Sequence, residues 1–69
     1  YGKNFSLVNL SESVSKISSK DIFLYPPGAP IVMRGEMILK EHVELINEYR
    51  KNFYKVIGLY EDYLSVLED

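Results

Sequence analysis

The apolar and polar positions along the chain predict several short elements around one longer helix. Residues 5–10 and 21–25 are short, largely apolar runs of the kind that form strands. The segment 41–52 carries apolar side chains three to four positions apart, the spacing of one helix face. This stripe consists of Val43, Ile46, Tyr49 and Phe53. Acidic residues near the start of the segment and basic residues near its end also favour a helix.

Serines follow the first apolar run. Ser11 is predicted to cap a short helix, with Glu12 in the first turn, where a negative charge is favourable. Val14 and Ile17 are three positions apart and would share one face of this helix. We expect the helix to end near residues 18–19.

The segment after the second apolar run is rich in turn-forming residues. Pro26 and Pro27 must end the strand, and Gly28 can take the positive φ that a type II turn needs after a proline. Pro30 holds Ala29 in an extended conformation. These residues predict a rigid turn.

A second strand is predicted at residues 31–33, followed by another turn at Gly35. Glu36 comes directly after this turn and precedes an apolar pair. A carboxylate presented by a tight turn beside an apolar layer could recognise an ammonium or guanidinium group. The alternative is that Glu36 only supplies negative charge ahead of the following helix.

The last part of the chain is compatible with two structures. The helical stripe could continue through Ile57, Tyr60, Leu64 and Leu67. Alternatively, residues 54–60 and 63–68 form a hairpin around Glu61 and Asp62. Gly58 is costly inside a helix, whereas the hairpin turn lacks the glycine that tight turns prefer. The pattern alone leaves both open.

Composition narrows the class of protein. With 69 residues, of which 46% are hydrophobic, the chain is one small domain, residues 1–69, of marginal stability. It has no cysteine, which excludes disulfides and thiolate metal sites and fits a cytoplasmic protein. A net charge of −2 without a basic stripe argues against nucleic acid, and no apolar run is long enough for a membrane span. Because the chain begins with Tyr1 and not methionine, we expect a piece of a longer protein.

Candidate catalytic chemistry is sparse. His42, the only histidine, lies among helix carboxylates and is predicted to be solvated, so no metal site is expected. The lysines lack an apolar pocket or a phosphate loop, and the seven serines lack a base nearby. Ser11 to Ser19 are interpreted as capping and loop residues. We therefore expect no catalytic residue and no activity from the chain alone.

The six tyrosines allow another reading. Four of them cluster in the last third of the chain, where they could pack in the core or form an interface. If the tail were helical, the chain would be a non-catalytic interaction module that self-associates through a tyrosine-rich helix.

Residues 25–38, with the sequence YPPGAPIVMRGEMI, carry a resemblance to a known family. They resemble the C-terminal segment of the bacterial, aminotransferase-like Orn/Lys/Arg decarboxylases, which typically reads Tyr-Pro-Pro-Gly-Ile-Pro, an aliphatic stretch, then Pro-Gly-Glu. The resemblance runs from about Leu10 to Glu68. Departures from the family pattern are Ser15 and Lys16 in place of Gly-Arg, Lys20 in place of an acidic residue, Ala29, Arg34 in place of proline, and Leu39 in place of a Ser or Thr cap.

The resemblance implies an α+β domain with short strands, one main amphipathic helix and a C-terminal hairpin. The parent would be a dimeric, cytoplasmic, PLP-dependent lyase of polyamine biosynthesis that decarboxylates ornithine, lysine or arginine. Pyridoxal phosphate would be bound by the large domain of the parent and not by this chain. This domain would pack against the large domain near the active-site mouth, with Glu36 facing the distal amino group of the substrate. The motif residues with structural roles would be Tyr25, Pro26, Pro27, Gly28, Pro30 and Gly35. The departures also allow a decarboxylase-like domain that has lost catalysis.

Overall fold

The computed structural model describes residues 4–25 and 28–68, in which six short strands accompany one helix. In chain order the elements are β1 (Asn4–Asn9), β2 (Ile22–Tyr25), β3 (Ala29–Val32), α1 (Lys40–Lys51), β4 (Lys55–Ile57), β5 (Leu59–Tyr60) and β6 (Tyr63–Glu68). The α+β class predicted from the sequence is confirmed. Pro26 and Pro27 of the predicted turn lie outside the described residues.

The strands form two antiparallel sheets of three strands each. One sheet has the order β1-β6-β5 and the other the order β3-β2-β4. In the first, Phe5 lies opposite Leu67; in the second, Phe23 lies opposite Ile57. Only Gly58 separates β4 from β5, so the chain passes from one sheet to the other at this residue.

An extended segment, residues 16–19, connects the two halves of the domain. Ile17 forms a bridge with Met37, and Ser18 forms one with Val66. On one side the Ile38 N–H donates to the carbonyl of Lys16 at 2.8 Å, and on the other the Leu67 N–H donates to that of Ile17 at 2.8 Å. The backbone of this segment is therefore paired on both sides, as buried backbone requires.

The prediction of a short helix that begins after Ser11 is wrong. Only a 3₁₀ turn, Leu10–Glu12, forms, and its N-cap is Asn9, whose Oδ1 accepts from the Ser11 N–H at 3.0 Å. The Ser13 hydroxyl donates back to the Leu10 carbonyl, a local bond that competes with helix propagation. Ser15 then takes a φ of 76°, which ends any helical run.

The main helix, predicted over 41–52, is confirmed as α1. Ile46 is fully buried, while Val43 and Tyr49 on the same stripe are half-buried. Leu39 has no side-chain acceptor for a cap, yet its own N–H donates to Nδ1 of His42 at 3.0 Å. This is the returning half of a capping box, so His42 has a structural role where we predicted only a solvated surface.

Phe53 does not belong to the buried stripe, contrary to our prediction. The Phe53 N–H donates to the Arg50 carbonyl at 3.0 Å, and the Tyr54 N–H donates to that of Tyr49 at 2.9 Å. These two bonds form a Schellman motif in which Phe53, at φ 67°, takes the left-handed position usually filled by glycine. The helix ends there, and the Phe53 side chain is 97% exposed.

The tail is a set of strands and not a continuation of α1. β5 and β6 form the hairpin, with Tyr60 opposite Tyr63 and Glu61 at φ 59° in the turn. The predicted first arm, residues 54–60, is divided because β4 pairs with β2 in the other sheet. The alternative prediction, an interaction module with a tyrosine-rich helix, is therefore wrong. Tyr54, Tyr60 and Tyr63 are 44–55% exposed, so they do not fill the core.

Side chains from both sheets, α1 and the intervening segments meet in one core. Its fully or almost fully buried members are Leu10, Ile22, Val32, Ile38, Ile46, Leu64 and Val66. Burying a side chain of this size contributes roughly 1.5–3 kcal/mol. Neither α1 nor any other helical stretch in residues 4–25 and 28–68 has the length and apolar character needed to cross a membrane.

Candidate functional site

The predicted turn that presents Glu36 is formed by residues 33–36. The Glu36 N–H donates to the Met33 carbonyl at 3.0 Å, and Gly35 has a φ of 91°. A positive φ at the third of four turn residues defines a type II turn, for which glycine is the natural choice. The sequence prediction of a turn at Gly35 is therefore confirmed.

The Glu36 carboxylate folds back over its own turn. Its Oε1 atom accepts a hydrogen bond from the Met33 N–H at 2.9 Å. Glu36 is exposed, and Arg50–Asp62 is the ion pair found among residues 4–25 and 28–68, so the carboxylate has no cationic partner there. One oxygen of the carboxylate is thus held by the turn, while Oε2 makes no hydrogen bond to the described residues and can accept from a ligand.

Backbone bonds fasten this turn to the extended segment. The Gly35 N–H donates to the Ser18 carbonyl at 2.8 Å, and the Ser18 N–H donates to the Glu36 carbonyl at 2.9 Å. Ser18 is itself buried, and its hydroxyl donates to the Lys20 carbonyl at 2.6 Å. The position of Glu36 is consequently set by the core of the domain and not by the turn alone.

Arg34 occupies the second turn position, where the resembling family has proline. Its N–H donates to Oδ1 of Asp21 at 2.8 Å, a bond that proline could not make. The absence of proline removes one restraint on the turn, and the Asp21 carboxylate supplies another. Sequence reasoning did not identify Asp21, since it lies 13 residues before Arg34 along the chain.

The other motif residues lie at the far end of β3. Tyr25 ends β2 and is 55% exposed, Gly28 has a φ of 95°, and Pro30 pairs with Phe23 in the sheet. Because the four residues of β3 separate this loop from the Glu36 turn, the two halves of the motif are roughly 13 Å apart. The motif is therefore two structural features, a hairpin loop and a carboxylate turn, and not one cluster.

A shallow groove of about 490 Å³ lies beside the turn. Its lining residues are Ser19, Lys20, Asp21, Arg34, Ile57, Gly58, Leu59 and Tyr60. Lys20 places its ammonium 5.6 Å from the centre of the Tyr60 ring, within cation–π range. Glu36 lines neither this groove nor a second one of about 440 Å³ near Lys16 and Glu68.

The residues described do not fit a buried cofactor or a metal. Lys16, Lys20, Lys40, Lys51 and Lys55 are all exposed, whereas a Schiff-base lysine needs an apolar pocket that lowers its pKa. No cluster of three metal-ligating side chains occurs in the described ranges. The described lysines therefore lack the surroundings that a Schiff base with pyridoxal phosphate requires.

Comparisons with known proteins agree with the sequence motif. The sequence model of the family described as Orn/Lys/Arg decarboxylase, C-terminal domain, matches residues 1–66. The uncharacterized protein YaaO of Bacillus subtilis is 40% identical over 40 residues, which cover 58% of this chain and 8% of that protein. The inducible lysine decarboxylase of Escherichia coli is 53% identical over 34 residues, which cover 49% of this chain and 5% of that enzyme.

Solved structures show the same arrangement. The constitutive lysine decarboxylase of E. coli superposes with a TM-score of 0.76 at 25% identity, covering 93% of this chain and 11% of that one. The lysine decarboxylase LdcF of Francisella novicida gives a TM-score of 0.64 at 25% identity, covering 96% and 11%. The chain thus spans about a tenth or less of the proteins it matches.

Proposed function

Because this chain belongs to the family of Orn/Lys/Arg decarboxylase C-terminal domains, we propose that it is the accessory domain of a PLP-dependent decarboxylase. In this proposal the parent acts on a basic amino acid, and the domain packs at the mouth of its active site. There Glu36 helps to select the substrate by binding its distal cationic group. The cofactor, when bound by the large domain, supplies the electron sink for decarboxylation.

The observation that supports the proposal is that hydrogen bonds hold both the Glu36 side chain and the turn that carries it. One oxygen of its carboxylate is held by the Met33 N–H, and the turn behind it is bonded to buried Ser18. A carboxylate that is already ordered loses little conformational entropy when a ligand binds. Such a group suits recognition better than an unrestrained surface glutamate does.

Electrostatics support a cationic ligand. Since Glu36 has no cationic partner among the described residues, binding an ammonium or guanidinium group would not displace an existing ion pair. A charge-assisted hydrogen bond is about twice as strong as a neutral one, most of all where neighbouring protein excludes water. The large domain of the parent would provide that exclusion at the active-site mouth.

The departures from the family pattern are compatible with this role. Ser15 adopts a left-handed φ of 76°, a conformation that glycine, the usual family residue here, takes readily. The Arg34 N–H makes its bond to Asp21 where proline would have restrained the turn covalently. Both departures are therefore compatible with a domain that still presents Glu36 from an ordered turn.

The experiment is Glu36→Gln in the full-length parent. Glutamine keeps an oxygen that can accept from the Met33 N–H, so the turn should persist while the negative charge is lost. Losing a hydrogen bond to a charged group costs roughly 1.5–3 kcal/mol, so we expect KM for the basic amino acid to rise about 10- to 100-fold. The value of kcat should change much less, because ground state and transition state lose the same interaction.

Glu44→Gln is the matched control, because Glu44 is an exposed glutamate on α1 and should leave KM unchanged. An unchanged KM for Glu36→Gln would overturn the role of Glu36. The accessory-domain proposal has its own test: the isolated chain, mixed with pyridoxal phosphate and substrate, should show no turnover, and any turnover would contradict it.

A further inference from the structure

Within residues 4–25 and 28–68, one side chain from outside the Glu36 turn forms a hydrogen bond to it, that of Asp21. Its Oδ1 atom accepts from the Arg34 N–H at 2.8 Å. The bonds that join the turn to Ser18 are made by backbone groups, which stay when a side chain is replaced. The Asp21 bond therefore differs from them, because a single substitution removes it.

The backbone that carries Asp21 is anchored in the core. Asp21 directly precedes Ile22, which is almost fully buried and lies opposite Val32 on the neighbouring strand. Val32 is itself fully buried and is followed at once by the turn. The buried pair therefore fixes the distance between Asp21 and Arg34, and the carboxylate extends the strand pairing by one further bond.

The Asp21 bond restrains the peptide group to which Glu36 is attached by hydrogen bonds. The Arg34 N–H and the Met33 carbonyl belong to one planar peptide unit. Its N–H donates to Asp21, and its carbonyl accepts from the Glu36 N–H at 3.0 Å. The Met33 N–H also donates to the Glu36 carboxylate. Because Glu36 bonds to Met33 at both places, a rotation of this peptide unit would move the carboxylate.

We propose that Asp21 is a positioning residue for substrate selection, which acts through the Arg34 N–H to hold Glu36 at a fixed distance from the reacting carbon. Asp21 has this role only if Glu36 binds the substrate, so the proposal rests on the proposed function. The distal cations of ornithine, lysine and arginine lie at different distances from that carbon. A carboxylate held within about 0.5 Å discriminates between them, whereas a mobile one follows any of the three.

The test is Asp21→Ala in the full-length parent, assayed with ornithine, lysine and arginine. KM for the preferred substrate should rise about 3- to 10-fold with little change in kcat, because the variant loses one exposed hydrogen bond and no group at the reacting carbon. The preference in kcat/KM over the other two amino acids should fall by a similar factor. Asp21→Asn keeps an acceptor oxygen, so its KM should stay within about twofold of the original.

A second substitution should restore what Asp21→Ala removes. Arg34→Pro in the Asp21→Ala background should return KM to within about twofold of the original, because proline fixes φ at the second turn position and needs no acceptor. Asp62→Ala is the matched control. Asp62 is an exposed aspartate whose Oδ1 also accepts a bond at 2.8 Å, from Arg50, and its replacement should leave KM unchanged.

Combining Asp21→Ala with Glu36→Gln separates positioning from a general structural role. If Asp21 acts through Glu36, the double variant should have a KM within about twofold of that of Glu36→Gln alone, whereas independent effects would multiply. Multiplied effects, or a KM that Glu36→Gln raises and Asp21→Ala does not, would overturn the role of Asp21 and leave the proposed function intact. An unchanged KM for Glu36→Gln would overturn the proposed function, and the role of Asp21 with it.

Discussion

Two glycines, Gly35 and Gly58, have positive φ angles of 91° and 108°, but the structure requires glycine at each for a different reason. Gly35 stands in open space, with no atom within 4 Å of where a Cβ would lie. At Gly58 the same Cβ would lie 2.5 Å from the carbonyl oxygen of Asp21. Gly35 is therefore required by the conformation of a turn, whereas Gly58 is required by both conformation and packing.

Asp21 connects the two positions. Its carbonyl oxygen occupies the space beside Gly58, and its side chain accepts the N–H of Arg34 next to Gly35. The crossing between the sheets and the turn that presents Glu36 thus share one anchoring residue. A site on an exposed turn can therefore depend on close packing between residues that are far apart in the sequence.

The largest effect is expected for Gly58→Ala. The left-handed strain and the contact with a backbone oxygen add, so we expect a loss of about 3 kcal/mol or more. A chain of this size has a total stability of only about 3–5 kcal/mol, so unfolding should be visible by circular dichroism and urea titration. If the variant is unfolded in buffer, a stabilising osmolyte should recover it. A stability equal to that of the unsubstituted chain would show that the backbone around Gly58 can accommodate the methyl group without cost.

A smaller loss, about 1–2 kcal/mol, is expected for Gly35→Ala. Only the left-handed strain acts here, since no atom lies close to the added methyl group. Urea midpoints of the two alanine variants should differ, and that difference measures the close approach at Gly58. Equal losses at both sites would contradict the distinction between turn and packed corner.

The smallest effect is expected for Arg34→Pro, where two terms oppose each other. Proline removes the hydrogen bond to Asp21, and it restricts the unfolded chain, which stabilises by about 0.4–1 kcal/mol. Because the lost bond is exposed and charge-assisted, we expect a net loss below about 1 kcal/mol.

The sign should reverse when the acceptor is removed. In an Asp21→Ala background, Arg34→Pro should stabilise the chain, because only the entropic term is left. A double-mutant cycle from urea titrations measures this coupling. No coupling between the two positions would mean that the bond from the Arg34 N–H contributes nothing to stability.

Particular residues show where sequence reasoning succeeded. The stripe through Val43 and Ile46 predicted α1, because helical periodicity is a local signal that the core then uses. The turn at Gly35 was predicted for a similar reason, because the conformation of a turn depends on four adjacent residues. The motif of residues 25–38 also indicated the family, which the comparisons confirm.

Other residues depended on contacts distant in sequence. The serine segment was predicted as a helix, but it lies between residues 36–38 and β6, and pairing on both sides outweighs a weak helical tendency. The sequence also did not predict that Leu64 is buried and Leu67 is partly exposed. Both faces of β6 carry apolar side chains, so the pattern does not indicate which face packs in the core. His42 is a local exception: its bond to the Leu39 N–H, only three residues away, was missed because histidine is not a usual capping-box residue and Leu39 offers no side-chain cap.

The sequence by itself determined the α+β class, the position of α1, the turn at Gly35 and the family. Each of these follows from local spacing or from a contiguous motif. Tertiary structure alone decided that residues 54–60 divide between two sheets and that Ser18 and Asp21 hold the Glu36 turn. The physical reason is that backbone hydrogen bonds in sheets join residues far apart in the chain, so their partners are chosen by the whole fold.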